Sequence, residues 1–438
     1  MNPTVLIICG VALVLAIILD NKTKLTLGMT CMLFAFVIGY FGLNLAPRTV
    51  VGYFPVTVVM PLILAMIYFS VFTSNGTSQI MAKKILSVVK GNMKAFPWVM
   101  FLISTVLYFC LDGGALRYVI GPLVFSIAKA GGMSTLMSVS TAYMPFIAGS
   151  LNPFINIDAT TRLGIFQDMG LQNAQSVSIV VWLNLLIAII VTHLVVYLIT
   201  GSFKLKSTEF KTEDTQVTVN PEQKKSFILL AVTVVVFVVP PLLNTIIKSS
   251  FTKQLSTILC NYTIFILGIL AVLALGLGEW RQMVNKASMR QIVMITGVTM
   301  LIKVAQQAGL QELCTNVANS VPTWLIAPVL LIICAFLSFF VAAPTVQPML
   351  FPMAAAMAQT PAQAITYLSC VALGLAASGI SPISSSGAAF LSTVDDEDRE
   401  KYSKSMFAMA FLGPIVMAIV AAVGGMSIFS GLFSGWYY

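Results

Sequence analysis

Two polar stretches, each broken by glycine and proline, interrupt a chain of 438 residues that is otherwise apolar. The first runs Ala148-Gly149-Ser150-Leu151-Asn152-Pro153-Phe154-Ile155-Asn156. The second, Ala377 to Gly387 (ASGISPISSSG), returns roughly 230 residues later, the mark of a chain built from two structural repeats. Pro153 deletes a backbone hydrogen bond and frees carbonyls, while Ser150, Asn152 and Asn156 bring side-chain ligands to the same place. In the second stretch Ser378, Ser381, Ser384, Ser385 and Ser386 supply hydroxyls beside Gly379, Gly387 and Pro382. Hydroxyls and exposed amides suit recognition of a carboxylate without a fixed cation. Lipid cannot hydrogen-bond a freed backbone, so irregular chain at membrane depth survives only where it lines a protein-enclosed cavity. Both stretches are expected to be discontinuous helices at a substrate site.

Two further small-residue centres, Leu111-Asp112-Gly113-Gly114 and Ala342-Ala343-Pro344-Thr345, each divide a pair of apolar arms. An ionisable group such as Asp112 is costly within a membrane and marks an ion or substrate path. Gly113 and Gly114 let backbone amides approach an anion, or carbonyls a cation. A carboxylate cap on the following helix is compatible with that role. Arg117, five residues past Asp112, can neutralise it, bind an anionic substrate or pair to hold the loop. The aligned position in the other half is Gln347, a neutral hydrogen-bonder; Pro344 and Thr345 form the opposite tip. Asp158 and Arg162, four residues apart, share a helix face and are expected to pair. His193, the single histidine, stands in an apolar run and reads as a packed residue rather than a proton relay.

These groups need elements to hold them. Hydrophobic residues make up 58% of the chain and charged ones 9%, a balance that belongs to multi-spanning helical membrane proteins. Apolar segments long enough to cross run at 4–19, 25–45, 54–74, 134–170, 175–200, 226–247, 258–278, 289–307, 362–394 and 404–432, about ten transmembrane helices. The regions 95–129 and 322–358 are read as re-entrant hairpins, because their central breaks leave arms of only about 10 to 16 residues. FCLDGGALRYVIGP (109–122) aligns over FFVAAPTVQPMLFP (339–352), with the closing prolines in register. The chain thus divides into a first repeat at 1–201, a polar cytoplasmic linker at 202–225 and a second repeat at 226–438. An odd number of crossings in each half makes the repeats inverted.

The charge distribution agrees. Lysines and arginines at 22–24, 83–94, 129, 204–225, 281–290 and 399–404 fall on one side, leaving Arg48, Lys248 and Lys253 on the other. The rich side is cytoplasmic by the positive-inside rule, which puts both termini outside, and the expected location is the plasma (inner) membrane of a bacterium. The net charge of +9 therefore reports topology, not a nucleic-acid partner. Seven cysteines are scattered without CxxC spacing and read as small buried hydrophobes. With no P-loop, no Cys/His metal spacing and no Ser/His/Asp arrangement, an enzyme and an ATP-driven pump are disfavoured. No cofactor is expected; transport would draw on a sodium ion, a proton or exchange.

With its two tips and two broken helices in this order, the chain resembles the ion transporter superfamily. It is most similar to the divalent anion:sodium symporters, with likeness to the citrate–metal symporters in the Asp-Gly tip Leu111-Asp112-Gly113-Gly114-Ala115. The resemblance implies a homodimeric elevator carrier in an all-α membrane fold, whose hairpins and broken helices slide with the substrate past a fixed scaffold. Family tips carry Ser-Asn-Thr; here they read Asp112-Gly113-Gly114 and Ala343-Pro344-Thr345, so sodium coupling, proton coupling and exchange stay open. The expected function is secondary active transport of a small organic anion, a di- or tricarboxylate. A proton antiporter or inorganic-anion exporter of the same architecture, or an anion channel, is the alternative.

Overall fold

The computed structural model describes residues 2–77, 93–110, 113–171, 173–205, 219–247, 249–285, 287, 289–339, 343–394 and 396–431. Among them the regular structure is helical throughout, with no strand. In the first half lie α1 (Pro3–Lys22), α2 (Leu27–Leu43), a short α3 (Pro47–Val51), α4 (Val56–Ser74), α5 (Phe96–Cys110), α6 (Gly113–Ala130), α7 (Thr135–Ser150), α8 (Ile157–Asp168) and α9 (Ala174–Ile199). The second half holds α10 (Pro221–Ile247), α11 (Ser250–Ile258), α12 (Asn261–Ala274), α13 (Trp280–Asn285), α14 (Met289–Gln307), α15 (Leu310–Asn319), α16 (Thr323–Ser338), α17 (Ala343–Ala356), α18 (Pro361–Ala377), α19 (Ser385–Leu391) and α20 (Arg399–Ala422).

Two of the four expected interruptions, those of the broken helices, fall within the described residues and are present. The segment expected at 134–170 is α7 and α8 around a non-helical joint, and that expected at 362–394 is α18 and α19 around another. The region 95–129 holds α5 and α6, which both pack on α7, and 322–358 holds α16 and α17, which both pack on α18; the expected hairpin tips at 111–112 and 340–342 lie outside the described residues. Local chemistry fixes the starts. Ser134 caps α7 by accepting from the Met137 amide at 3.2 Å, and Thr360 caps α18 with Pro361 at its first position, where a missing N–H costs nothing. Asp112 and Leu111, Ala342, and 206–218 of the linker lie outside the described residues.

The count of about ten crossings is not matched by ten long helices. Among the described residues three are long and apolar enough to span alone, within Pro3–Asp20, Ala174–Ile199 and Arg399–Ala422. A fourth arises if α14 and α15, bent by 71° at Ala308-Gly309, are taken together. The reason is geometric: a helix of 16 residues reaches only about 24 Å at 1.5 Å per residue, and two of the expected spans are cut at their joints. Their outer faces are nevertheless apolar. Ile7, Val11, Leu33, Phe41, Leu102, Ile199, Phe411 and Ile419 are among the large hydrophobic side chains left exposed, a surface that fits lipid and not water. This is an integral membrane protein.

Packing occurs in matched sets. α5 lies on α7 as α16 lies on α18; α9 meets α18 as α20 meets α7; α12 packs on α4 as α2 packs on α14; and α6 meets α19 as α8 meets α17. The α2–α14 crossing is the tightest. A Cβ on Gly28 would meet the backbone of Val293 and Met294, and one on Gly297 would meet the backbone of Gly28. Small residues let helices approach this closely in a membrane, where no hydrophobic force presses them together. Replacing Gly297 by leucine should therefore force backbones apart. The expected cost is at least the ~3 kcal/mol upper range for overpacking, seen as a lower apparent melting temperature and loss of a monodisperse peak in detergent. An outer-face change such as Val11→Leu should leave both unchanged.

Candidate functional site

The first joint begins where α7 runs out of intrahelical donors. Pro153 cannot donate and the chain turns through Leu151 to Asn156, so consecutive carbonyls lose their helical partners. Each finds another. Trp182 Nε1 donates to the Ala148 carbonyl at 2.8 Å, and the Asn152 amide donates to Gly149 at 2.8 Å and Ile155 at 2.7 Å. Asn156 Nδ2 donates to Ser150 at 3.1 Å, and Gln175 Nε2 to Pro153 at 2.7 Å. Arg162 Nη2 donates to Leu151 at 2.7 Å and to Asn152 at 2.5 Å.

Asn152 is the hub. Its Nδ2 also reaches the Phe109 carbonyl of α5 at 3.3 Å, and its Oδ1 accepts from the Phe154 and Ile155 amides, both at 2.9 Å. Asn156 caps α8, its Oδ1 accepting from the Ala159 amide at 2.7 Å, while its own backbone sits at φ 127°, ψ 175°. That region is nearly closed to residues with a Cβ and costs on the order of 1–3 kcal/mol. Both asparagines, expected as ligands, spend their side chains on the joint. Arg162 likewise directs Nη2 at carbonyls, and no hydrogen bond to the expected partner Asp158 is made by its Nε or Nη1 among the described residues.

The second joint is built from hydroxyls. Ser384 caps α19 by accepting from the Gly387 amide at 3.0 Å, and its Oγ donates toward Gly379 at 2.5 Å and Ser381 at 2.9 Å. Ser378 Oγ donates to the Ala410 carbonyl of α20 at 2.8 Å. Tyr143 of α7 donates to the Ala376 carbonyl at 2.6 Å, tying the broken helices together, and its hydroxyl closes the open side of Gly379. Pro382 is half-buried in the turn, and Ser385 opens α19. Ser381 is fully buried, and its Oγ has no hydrogen-bond partner among the described residues.

Of the hairpin residues, Gly113 and Gly114 form the first turn of α6, and Pro344 and Thr345 lie in the first turn of α17. Arg117 crosses to the other half: Nη1 donates to Ser386 Oγ at 2.8 Å, and the guanidinium stands 5.2 Å from the Phe146 ring centroid. Tyr143 and Phe146 of α7 and Phe390 of α19 surround this contact, the first two rings lying 6.0 and 6.2 Å from Phe390. Gln347, at the aligned position of α17, is buried, with Oε1 unpartnered among the described residues. Phe166 and Phe351 meet at 5.2 Å to join α8 to α17.

A cavity of about 400 Å³ lies along that second seam, lined by Val58, Ile165, Asp168, Thr299, Lys303 and Gln311 among others. None of the joint residues lines it. Lys303, within a predicted span, pairs with Asp168 at 2.9 Å across the cavity wall. His193 is packed as expected, between Trp98 and Phe101 with Nδ1 3.0 Å from Ser140 Oγ. Sequence reasoning missed the roles of Trp182, Gln175 and Tyr143 as donors to freed carbonyls. Their one visible signal was a polar tip inside an apolar run.

Comparison with known proteins gives two matches. The family model described as CitMHS, citrate transporter, matches residues 5–378. Among solved structures, the YdaH transporter of Alcanivorax borkumensis, described as having an unusual topology, superposes with a TM-score of 0.56. It is 14% identical over 86% of this chain and 87% of that one, a likeness of fold. No curated protein matches the chain.

Asn152→Ala should strand at least two buried carbonyls and two amides, at about 1–3 kcal/mol for each group left unsatisfied, and depress the melting temperature sharply. At 156, where glycine relieves the backbone but loses the cap, Asn156→Gly should be milder than Asn156→Ala in the same assay.

Proposed function

The chain belongs to the citrate transporter family, and from that premise we propose that it is a secondary active carrier of a small di- or tricarboxylate. Four half-helices, α6, α8, α17 and α19, begin at the interruptions, and their amino ends favour negative charge. The observation that carries the reading is Arg117: a guanidinium beside the first hairpin tip that reaches Ser386 at the start of α19. A fixed cation between a hairpin and a broken helix of the other half is what a carboxylate needs. Gly113, Gly114, Asp112, Ser381, Ser385, Pro344, Thr345 and Gln347 complete the proposed chamber, while Ser150, Asn152, Pro153, Asn156, Ser378, Gly379, Pro382 and Ser384 shape its walls.

The matched packing sets support two repeats related by a pseudo-two-fold axis, and alternating access then follows as one bundle moves against the other. In this reading the hairpins and broken helices form the moving part, α1, α2, α4, α10, α12 and α14 form the scaffold, and two copies associate through it. The coupling agent is a proton, a sodium ion or a second carboxylate in exchange.

Purified protein in liposomes should accumulate labelled citrate and show counterflow when unlabelled citrate is loaded on the far side. Imposed proton and sodium gradients then identify the coupling agent, and ohmic conduction without counterflow would mean a channel instead. Loss of a charge-assisted hydrogen bond is worth about 1.5–3 kcal/mol, so Arg117→Gln should weaken uptake at least tenfold, with Arg117→Lys intermediate. Uptake by Arg117→Gln at the wild-type rate would remove this residue from the site.

A further inference from the structure

A carbonyl end of a half-helix at membrane depth is a ready cation site, since it carries negative partial charge and unpaired oxygens. At the first joint the oxygens are already taken. The carbonyls of Ala148, Gly149, Ser150, Leu151, Asn152, Pro153 and Ile155 all accept from side chains of this chain. Two of the seven accept from one charged group, Arg162 Nη2, whose residue is fully buried. At the second joint no charged side chain donates to a carbonyl among the described residues; the nearby cation, Arg117, donates to Ser386 Oγ instead. With the caps Asn156 and Ser384 superposed, the position of Arg162 falls on Phe390.

A buried guanidinium is expensive, and one that serves only as a hydrogen-bond donor to two carbonyls could be replaced by a neutral amide at lower cost. Its Nε and Nη1 have no acceptor among the described residues, so the hydrogen bonds alone do not account for it. The remaining function is charge, placed at the negative end of α7. We propose that Arg162 is a resident cation: it does at the first joint what a coupled metal ion would do there, and that joint therefore binds no monovalent cation. This rests on the carrier reading only for its consequence, that ion coupling does not use the first joint.

The experiment uses the full-length protein in detergent and reads the apparent melting temperature at constant ionic strength. Arg162→Ala should melt several degrees below wild type. Guanidinium or methylguanidinium at low millimolar concentration should restore much of that loss while leaving wild type unmoved, with tetramethylammonium, too large for the space, without effect. Sodium should raise the alanine variant more than it raises wild type. An alanine variant as stable as wild type, or one equally unstable in every cation, overturns the proposal. Where that variant cannot be recovered, charge is tested directly: recovery of folded Arg162→Lys but not Arg162→Met supports a resident cation, and loss of the lysine variant, or recovery of Arg162→Met, overturns it. Citrate is absent throughout, so failure of citrate uptake would strike the transport reading and leave this result standing.

Discussion

Lipid offers no hydrogen bonds, and the architecture follows from that single constraint. A helix can stop within the membrane only if the protein itself supplies partners for the exposed amides and carbonyls. Here the first joint is closed by five side chains, Asn152, Asn156, Arg162, Gln175 and Trp182, drawn from the joint, from α8 and from α9. Every one of those donors must be in place for the others to be tolerable, which makes the joint a preorganised unit rather than a flexible kink.

The second joint meets the same requirement with different chemistry. Serine hydroxyls are short and can only close bonds nearby, so Ser384 ties its own turn and Ser378 its neighbour α20, while Tyr143 arrives from the opposite broken helix. One joint is thus stiffened by long, charged and amide side chains, the other by hydroxyls, with Ser381 left unspent. Arg117 of α6 links the first half to the second joint through Ser386.

The interruptions were legible in the sequence because glycine, proline and asparagine clustered inside an apolar run break a helix where lipid cannot repair it. The division of 134–170 and of 362–394 into two half-helices each could be read from composition alone. What each polar residue does could not. Asn152 looks the same in sequence whether its amide faces a ligand or its own backbone, and the difference appears only when Gly149, Ile155 and Phe109 are brought around it. Arg117 and Ser386 are 269 positions apart, beyond any local rule. The number of crossings is hidden for another reason, since hydropathy windows register apolar length and cannot see that α14 turns by 71° into α15. Gly28 and Gly297 carried a signal of small-residue crossing that periodicity did not isolate.

That crossing has a mechanical meaning. Where Gly28 meets Gly297 there is no layer of side chains between two main chains, so α2 and α14 pack backbone to backbone. The seam where α8 and α17 face α4 and α14 holds a cavity of about 400 Å³ with the Lys303–Asp168 ion pair in its wall, while Gly164 of α8 brings that helix close to the Thr57 and Val58 backbone.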